Sequence, residues 1–183
     1  LHRGHHRRPS PLSISQPLPV PGTQPDLREV LGIGSDGLVG ASKNTAKIIG
    51  DHTDKYVQAY FQYDSKKSGG LTISHLRFGD HPIRSAYYVG DADCVVCGNP
   101  SYVDKYDMVG DVKPGGVFLL NCSWSEEDLE RRLPADMKRT LAQKGIHLYL
   151  CDAVTIAREI GLKGRINTII QSAYFKLAGI LPA

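Results

Sequence analysis

A chain of 183 residues with 41% apolar and 22% charged content has room for one domain with a sizeable core. Its formal net charge of +3 equals the contribution of Arg3, Arg7 and Arg8, so everything after the first 25 residues is neutral and lacks the basic surface that a nucleic-acid partner demands. No apolar run approaches the roughly 20 residues of a membrane-spanning helix, which excludes a membrane partner of that kind.

Residues 1–25 carry six prolines, three histidines and no acidic group, a composition that cannot build a core. They read as a disordered Pro/Arg-rich leader ahead of a single domain over residues 26–183. Acid-poor leaders with Arg and Ser resemble organellar transit peptides, and an initial Leu fits a piece of a longer chain equally well. The expected location is therefore cytoplasmic, or an organelle if the leader is a transit peptide.

A first strand is expected over residues 27–31, followed by Gly32-Ile33-Gly34-Ser35-Asp36-Gly37. This G-x-G-x-x-G loop lets backbone N–H groups approach a phosphate ahead of a helix whose start carries partial positive charge. The helix is expected to end at Gly50, taken as a left-handed cap. Residues 56–63 are rich in β-formers and complete a βαβ unit. After a polar loop over residues 64–70, extended segments are expected at 71–78 and 83–89 around a turn at residues 79–82, then a strand at 92–97.

Pro114-Gly115-Gly116 reads as a turn into the apolar run 117–120, of the kind buried on both faces of a parallel sheet. Ser125 has helix-capping chemistry, with Glu126, Glu127 and Asp128 in the first turn. A helix from Pro134 to Gly145, a strand over 146–150, a helix over 153–160 and a final helix over 165–177 follow. Strands alternating with helices define an α/β fold: a three-layer αβα sandwich around a mostly parallel, Rossmann-like sheet.

In such sheets ligands bind beyond the carboxyl ends of the strands. The candidates are Gly34, Ser35, Asp36 and Gly37 in the glycine loop, and Ser65, Lys66, Lys67 and Ser68 after the second strand. Two ammonium groups and two hydroxyls on a glycine-flanked loop suit the phosphates of NADP or coenzyme A; a solvated surface turn has the same composition. His75 and Arg77 share a strand face, either as a proton donor beside an anion clamp or in a structural pairing with Asp80 or another carboxylate. Trp124 either stacks on a ligand ring or fills a corner. Cys94 and Cys97, three apart on a strand, face opposite sides and read as buried reduced thiols. No catalytic residue and no metal site is assigned.

Taken in order, Gly32-Ile33-Gly34-Ser35-Asp36-Gly37-Leu38-Val39-Gly40-Ala41-Ser42-Lys43-Asn44, Tyr63-Asp64-Ser65-Lys66-Lys67-Ser68-Gly69-Gly70, Ser74-His75-Leu76-Arg77-Phe78, Lys113-Pro114-Gly115-Gly116 and Gly164-Arg165-Ile166-Asn167-Thr168 resemble the gamma-chain-like domain of pyruvate:ferredoxin (flavodoxin) oxidoreductases, in the 2-oxoacid oxidoreductase family. The resemblance covers residues 27–182. It implies oxidative decarboxylation of pyruvate on thiamine diphosphate, with electrons passing through iron–sulfur clusters to ferredoxin or flavodoxin and the acyl group to coenzyme A. This chain has no GDG-type motif for thiamine diphosphate and magnesium, and no cysteine run for a [4Fe–4S] cluster. Those cofactors are therefore expected on other domains or subunits, and the part expected here is coenzyme A binding at the two loops together with domain packing. Two rival readings are a non-catalytic module of the same fold in another multidomain reductase, of the sulfite reductase flavoprotein type, and a free-standing NADP-binding oxidoreductase.

Overall fold

A computed structural model of the chain describes residues 28–34, 37–63 and 71–179. Six strands, β1 (Arg28–Gly34), β2 (Tyr56–Tyr63), β3 (Thr72–Gly79), β4 (Ala92–Cys97), β5 (Val112–Asn121) and β6 (His147–Cys151), form one sheet in the order β2-β3-β1-β4-β5-β6. Five helices accompany them: α1 (Leu38–His52), α2 (Glu126–Arg132), α3 (Ala135–Lys144), α4 (Ala153–Glu159) and α5 (Asn167–Ala178). Strands β1, β4, β5 and β6 run parallel, while β3 is antiparallel to both of its neighbours. The expected three-layer α/β architecture with a mostly parallel sheet is thus present.

Its first half is wired differently from a simple βαβ unit. β2 does run parallel to β1, but β3 lies between them, so the α1 crossover spans two strand positions. Residues 83–89 form no strand, because their backbone groups are taken by side chains from the sheet. Gln58 donates to the Ser85 carbonyl at 2.8 Å, Arg77 to the Tyr87 carbonyl at 2.7 Å, and the Val89 N–H donates to His75 Nδ1 at 3.2 Å.

Two further expectations shift. α1 continues through Gly50 to His52 and stops at Thr53, which is extended and whose hydroxyl donates to the Ile49 carbonyl. Pro114-Gly115-Gly116 is a bulge inside β5: Ala92 pairs with Val112 but Cys94 with Val117, with Gly115 at φ 72° absorbing the extra residues. Ser125 caps α2 in a reciprocal capping box with Asp128, and Gly145 at φ 60° ends α3.

Alternation along the strands builds two cores. Ile73, Val95, Cys97, Phe118 and Leu120 face the layer that holds Leu133, Met137, Met108 and Val109. Leu76, Phe78, Cys94, Val96 and Leu119 face Leu38 and Ile49 of α1, Ala153 of α4, and Ile170 and Tyr174 of α5. Each fully buried large side chain contributes about 1.5–3 kcal/mol of transfer free energy. The continuous apolar run in β5 follows directly, since both of its faces are covered.

Candidate functional site

The parallel strands all end on one side of the sheet, and two short hydrogen-bond chains lock their ends together. Gly98, just past β4, donates its N–H to the Ile33 carbonyl of β1 at 2.9 Å. Asn121, the last residue of β5, donates from Nδ2 to the Gly98 carbonyl at 3.0 Å and accepts at Oδ1 from the Ala153 N–H at 3.1 Å. Cys122 N–H donates to the Cys151 carbonyl, and the Asp152 carboxylate caps α4 through the Thr155 N–H. Those bonds to Thr155 hold the Asp152 carboxyl below its ordinary range. Asn121 and Asp152 are therefore committed to holding the sheet end together.

The described glycines of the fingerprint lie in or beside regular elements. Gly32 and Gly34 lie within β1, and Gly37 is the N-cap of α1 at φ 91°. Close packing explains the first two: a β-carbon on Gly32 would sit 3.2 Å from Ser42 Oγ, and one on Gly34 3.0 Å from Leu38 Cδ2, so α1 presses directly on the strand. At Gly37 the backbone is left-handed, a region L side chains avoid, and the carboxamide of Asn167 fills the space beside it. A cleft lies between the sheet and helices α1 and α5, lined by Gly32, Leu38, Ser42, Thr45, Gln171 and Tyr174. Gln171 spans its wall, donating to Thr45 Oγ1 at 2.9 Å and accepting from Asn44 at 3.2 Å.

Of the predicted site residues, Gly34 and Gly37 stand at this sheet end. Ser35, Asp36, Ser65, Lys66, Lys67 and Ser68 lie outside the described residues. The strand ends that lead into them are described, and Thr72 of β3 is registered with both Gly34 of β1 and Tyr63 of β2. Both loops thus leave the sheet from the same row, separated by one strand, or about 10 Å. Sequence reasoning quoted Asn167 only as part of a motif and did not select it as a site residue. Its signal was there: a short amide at the start of a helix, in a glycine-led segment.

His75 and Arg77 do share a face, as expected, and both hold the segment over residues 83–89 through hydrogen bonds. Asp80 pairs with Lys55 at 2.6 Å. His75 is buried and accepts at Nδ1; burial first, and the Arg77 charge second, push it down to about 4, which makes it a neutral imidazole. Arg77, also buried, donates to the Tyr87 carbonyl and to Gln58, and lies over the Tyr87 ring at 4.8 Å. The pair anchors residues 83–89 over β3. Trp124 fills a corner of the first core with Arg132 over its ring at 5.4 Å.

Cys94 and Cys97 project into opposite cores, and burial pushes both thiols up to about 12. Cys122 and Cys151 are shifted up by burial as well. Protonated thiols on opposite faces of a sheet do not fit an iron–sulfur cluster. No group of three or more His, Cys, Asp or Glu side chains suited to a metal ion occurs among the described residues.

These features define an open-sheet α/β domain in which a glycine turn at the carboxyl end of β1 packs on the start of α5. The sequence profile of the pyruvate ferredoxin/flavodoxin oxidoreductase family matches residues 30–183, and the chain belongs to that family. It is 62% identical over 151 residues to pyruvate:ferredoxin oxidoreductase of Moorella thermoacetica, a match covering 82% of this chain and 13% of that protein. With the mitochondrial pyruvate dehydrogenase [NADP(+)] of Euglena gracilis it shares 50% identity over 151 residues, 82% of this chain and 8% of that protein. The chain therefore spans only about an eighth of the first of these relatives, and less of the second. Among solved structures, its fold is similar to that of pyruvate oxidoreductase subunit PORC from Thermotoga maritima, with a TM-score of 0.66 and 22% identity, covering 86% of this chain and 79% of that one.

Proposed function

We propose that this chain is the part of a pyruvate:ferredoxin/flavodoxin oxidoreductase that binds coenzyme A and packs against the domains carrying the chemistry. In the complete enzyme, pyruvate is oxidatively decarboxylated to acetyl-CoA and electrons leave for ferredoxin or flavodoxin. The [4Fe–4S] clusters are assigned to other domains because the thiols here do not suit a cluster, and thiamine diphosphate with magnesium because the chain has no GDG-type motif for them. The observation that carries the coenzyme A reading is the shared row at Thr72, from which the glycine turn and the Ser65-Lys66-Lys67-Ser68 segment both depart. The ends of β1 and β2, which precede these two segments, stand about 10 Å apart, a separation that matches the spread of negative charge on a nucleotide cofactor.

A comparison among relatives supports the same assignment. Close counterparts of this domain occur in one protein named for ferredoxin and in another named for NADP(+). A domain retained while the electron acceptor changes serves the half of the reaction the two share, pyruvate and its acyl acceptor. No helix among the described residues is long and apolar enough to cross a membrane, which fits an enzyme of the cytoplasm or of an organelle interior.

Replacing Lys66 and Lys67 by Ala in the complete enzyme tests this reading. The Michaelis constant for coenzyme A is expected to rise roughly tenfold or more, since loss of about 1.4 kcal/mol corresponds to a factor of ten. Pyruvate-dependent radical formation should persist, and added salt should narrow the gap between variant and wild type. An unchanged coenzyme A dependence would remove the lysines from the ligand.

A further inference from the structure

β2 ends the sheet: it pairs with β3 on one side and with no described strand on the other. Such an edge is a row of unspent backbone N–H and C=O groups, a template for a further strand, and proteins ordinarily blunt it with lysine, proline, a bulge or brevity. β2 has none of these. Its sequence, Tyr56-Val57-Gln58-Ala59-Tyr60-Phe61-Gln62-Tyr63, carries no charge, proline or glycine, and all 8 residues stand in unbroken register with β3. Lys55, just ahead of it, is held by Asp80 at 2.6 Å. The opposite edge, β6, is only 5 residues long.

The edge is open along its length and held firmly from its inner side. Tyr56 is 50% exposed, Tyr60 53% and Tyr63 61%, and Ala59 is exposed as well. Tyr60 meets the Tyr88 ring at 5.2 Å and accepts from its hydroxyl at 3.4 Å; Gln58 is tied to the Ser85 carbonyl and to Arg77. On the other face Phe61 lies under the Lys43 ammonium at 5.3 Å. A strand fixed in this way has little left to order when a partner arrives.

Backbone chemistry requires the occupant to be an extended strand, and charge narrows it further. A strand bearing Lys or Glu would set like charges opposite one another in a pair of copies, whereas an uncharged one accepts its own copy without repulsion. Two copies related by a two-fold axis bring identical edges together antiparallel. Alternate residues turn their backbone groups outward, so only positions of the same parity can stand opposite. The longest overlaps then place Tyr60 against Tyr60, with Ala59 against Phe61 and Val57 against Tyr63, or Ala59 against Ala59, with Val57 against Phe61. Three half-exposed tyrosines from each copy take on the order of 600 Å² out of water. With the paired backbone added, the contact approaches the roughly 1,000 Å² of a weak but specific interface. We infer that β2 is a self-association edge, at which two copies of this domain pair antiparallel about an axis at Ala59 or Tyr60 and join their sheets into one. The pairing needs only the fold and stands apart from the coenzyme A reading.

Ala59→Cys and Tyr60→Cys, introduced singly into the complete protein, test this, with Glu127→Cys on α2 as the solvent-facing control. Residues facing each other across an antiparallel pair lie within disulfide reach. Under mild oxidation one of the two variants is expected to link to the same residue of a second copy, identified by the mass of the joined peptides. Its yield should be at least about ten times the control's, the margin given by a contact of about 1.4 kcal/mol. Adding Tyr60→Lys to Ala59→Cys sets like charges across the axis and should cut the yield severalfold, while Tyr60→Phe should preserve it. A yield no higher than the control's, links only to another segment or another protein, or a yield indifferent to Tyr60→Lys would overturn the pairing. Both positions are exposed, so two independent variants guard against one that fails to fold.

Discussion

The Asn167 carboxamide occupies the place into which a β-carbon on Gly37 would project: that carbon would lie 2.3 Å from Asn167 Nδ2 and 2.7 Å from Oδ1. The turn that opens α1 is thereby closed from above by the first residue of α5. Gly37→Ala is expected to destabilise the chain through two effects, about 1–2 kcal/mol for a left-handed Ala and a further cost for displacing Asn167. Combining it with Asn167→Ala removes the second effect, so the double variant should be less damaged than the sum of the singles by about 0.5 kcal/mol or more. Urea unfolding of the four proteins measures this, and strict additivity would refute the contact.

Stability should respond to His75 in acid. Its folded-state pKa, about 4, lies below the ordinary 6.5, so the unfolded chain takes up a proton more readily than the folded one. The contribution of neutral His75 is complete above pH 6.5 and is lost as pH falls towards 4. His75→Asn keeps an acceptor for the Val89 N–H and cannot titrate. Relative to wild type it should gain stability on going from pH 7 to pH 4.5; a pH-independent difference in melting temperature would count against a buried neutral imidazole.

Asp111 tilts stability the other way over much of the same range. Burial, then the nearby Asp107, raise its carboxyl to about 7 despite Lys144, and its Oδ2 has no hydrogen-bond partner among the described residues. A carboxyl whose folded pKa exceeds its unfolded value of 3.8 favours the fold when protonated, so stability falls as pH rises from about 4 to about 7 and is level above that. Asp111→Asn should be more stable than wild type at pH 8, with the advantage disappearing near pH 4. Equal melting temperatures at pH 8 would contradict this.

Thiol chemistry should sort the cysteines by their place in the sheet. Cys94 and Cys97 are buried at about pKa 12, whereas Cys151 is only partly buried. Titration of the native chain with an aromatic disulfide is expected to modify Cys151 ahead of the other three, and Cys151→Ser should abolish the early phase. Rapid release of more than one thiol would show that the cores open readily.

Much of the architecture was legible because local chemistry and tertiary packing agree. Ser125 with Asp128 marks the start of α2, Gly145 marks the end of α3, and the apolar run in β5 is long enough to signal burial on both faces. The sheet order was not, since nothing local tells β3 to slide between β1 and β2; that choice is made by the pairing of residues 28–34 with 72–78. That the extended segment over 83–89 joins no sheet was not legible for a related reason, because its hydrogen bonds go to Gln58, Arg77 and His75. At the candidate site the glycines were visible as a pattern, but which glycine is strained and which merely crowded depends on Asn167 and Leu38, far and near in sequence.

The insertion of β3 also sets a schedule for biosynthesis. β1 is the first described strand to leave the ribosome, yet its partners β3 and β4 begin only at Thr72 and Ala92, and α1 is secured when Gln171 reaches the Ala41 carbonyl, 130 residues further on. Until β3 and β4 emerge, a nascent chain carries this central strand without neighbours on either side. Gly37, early in the chain, is among the last residues to acquire its final surroundings, because Asn167 arrives only with α5, so a ribosome stalled before α5 would hold a sheet still uncovered at the carboxyl end of β1.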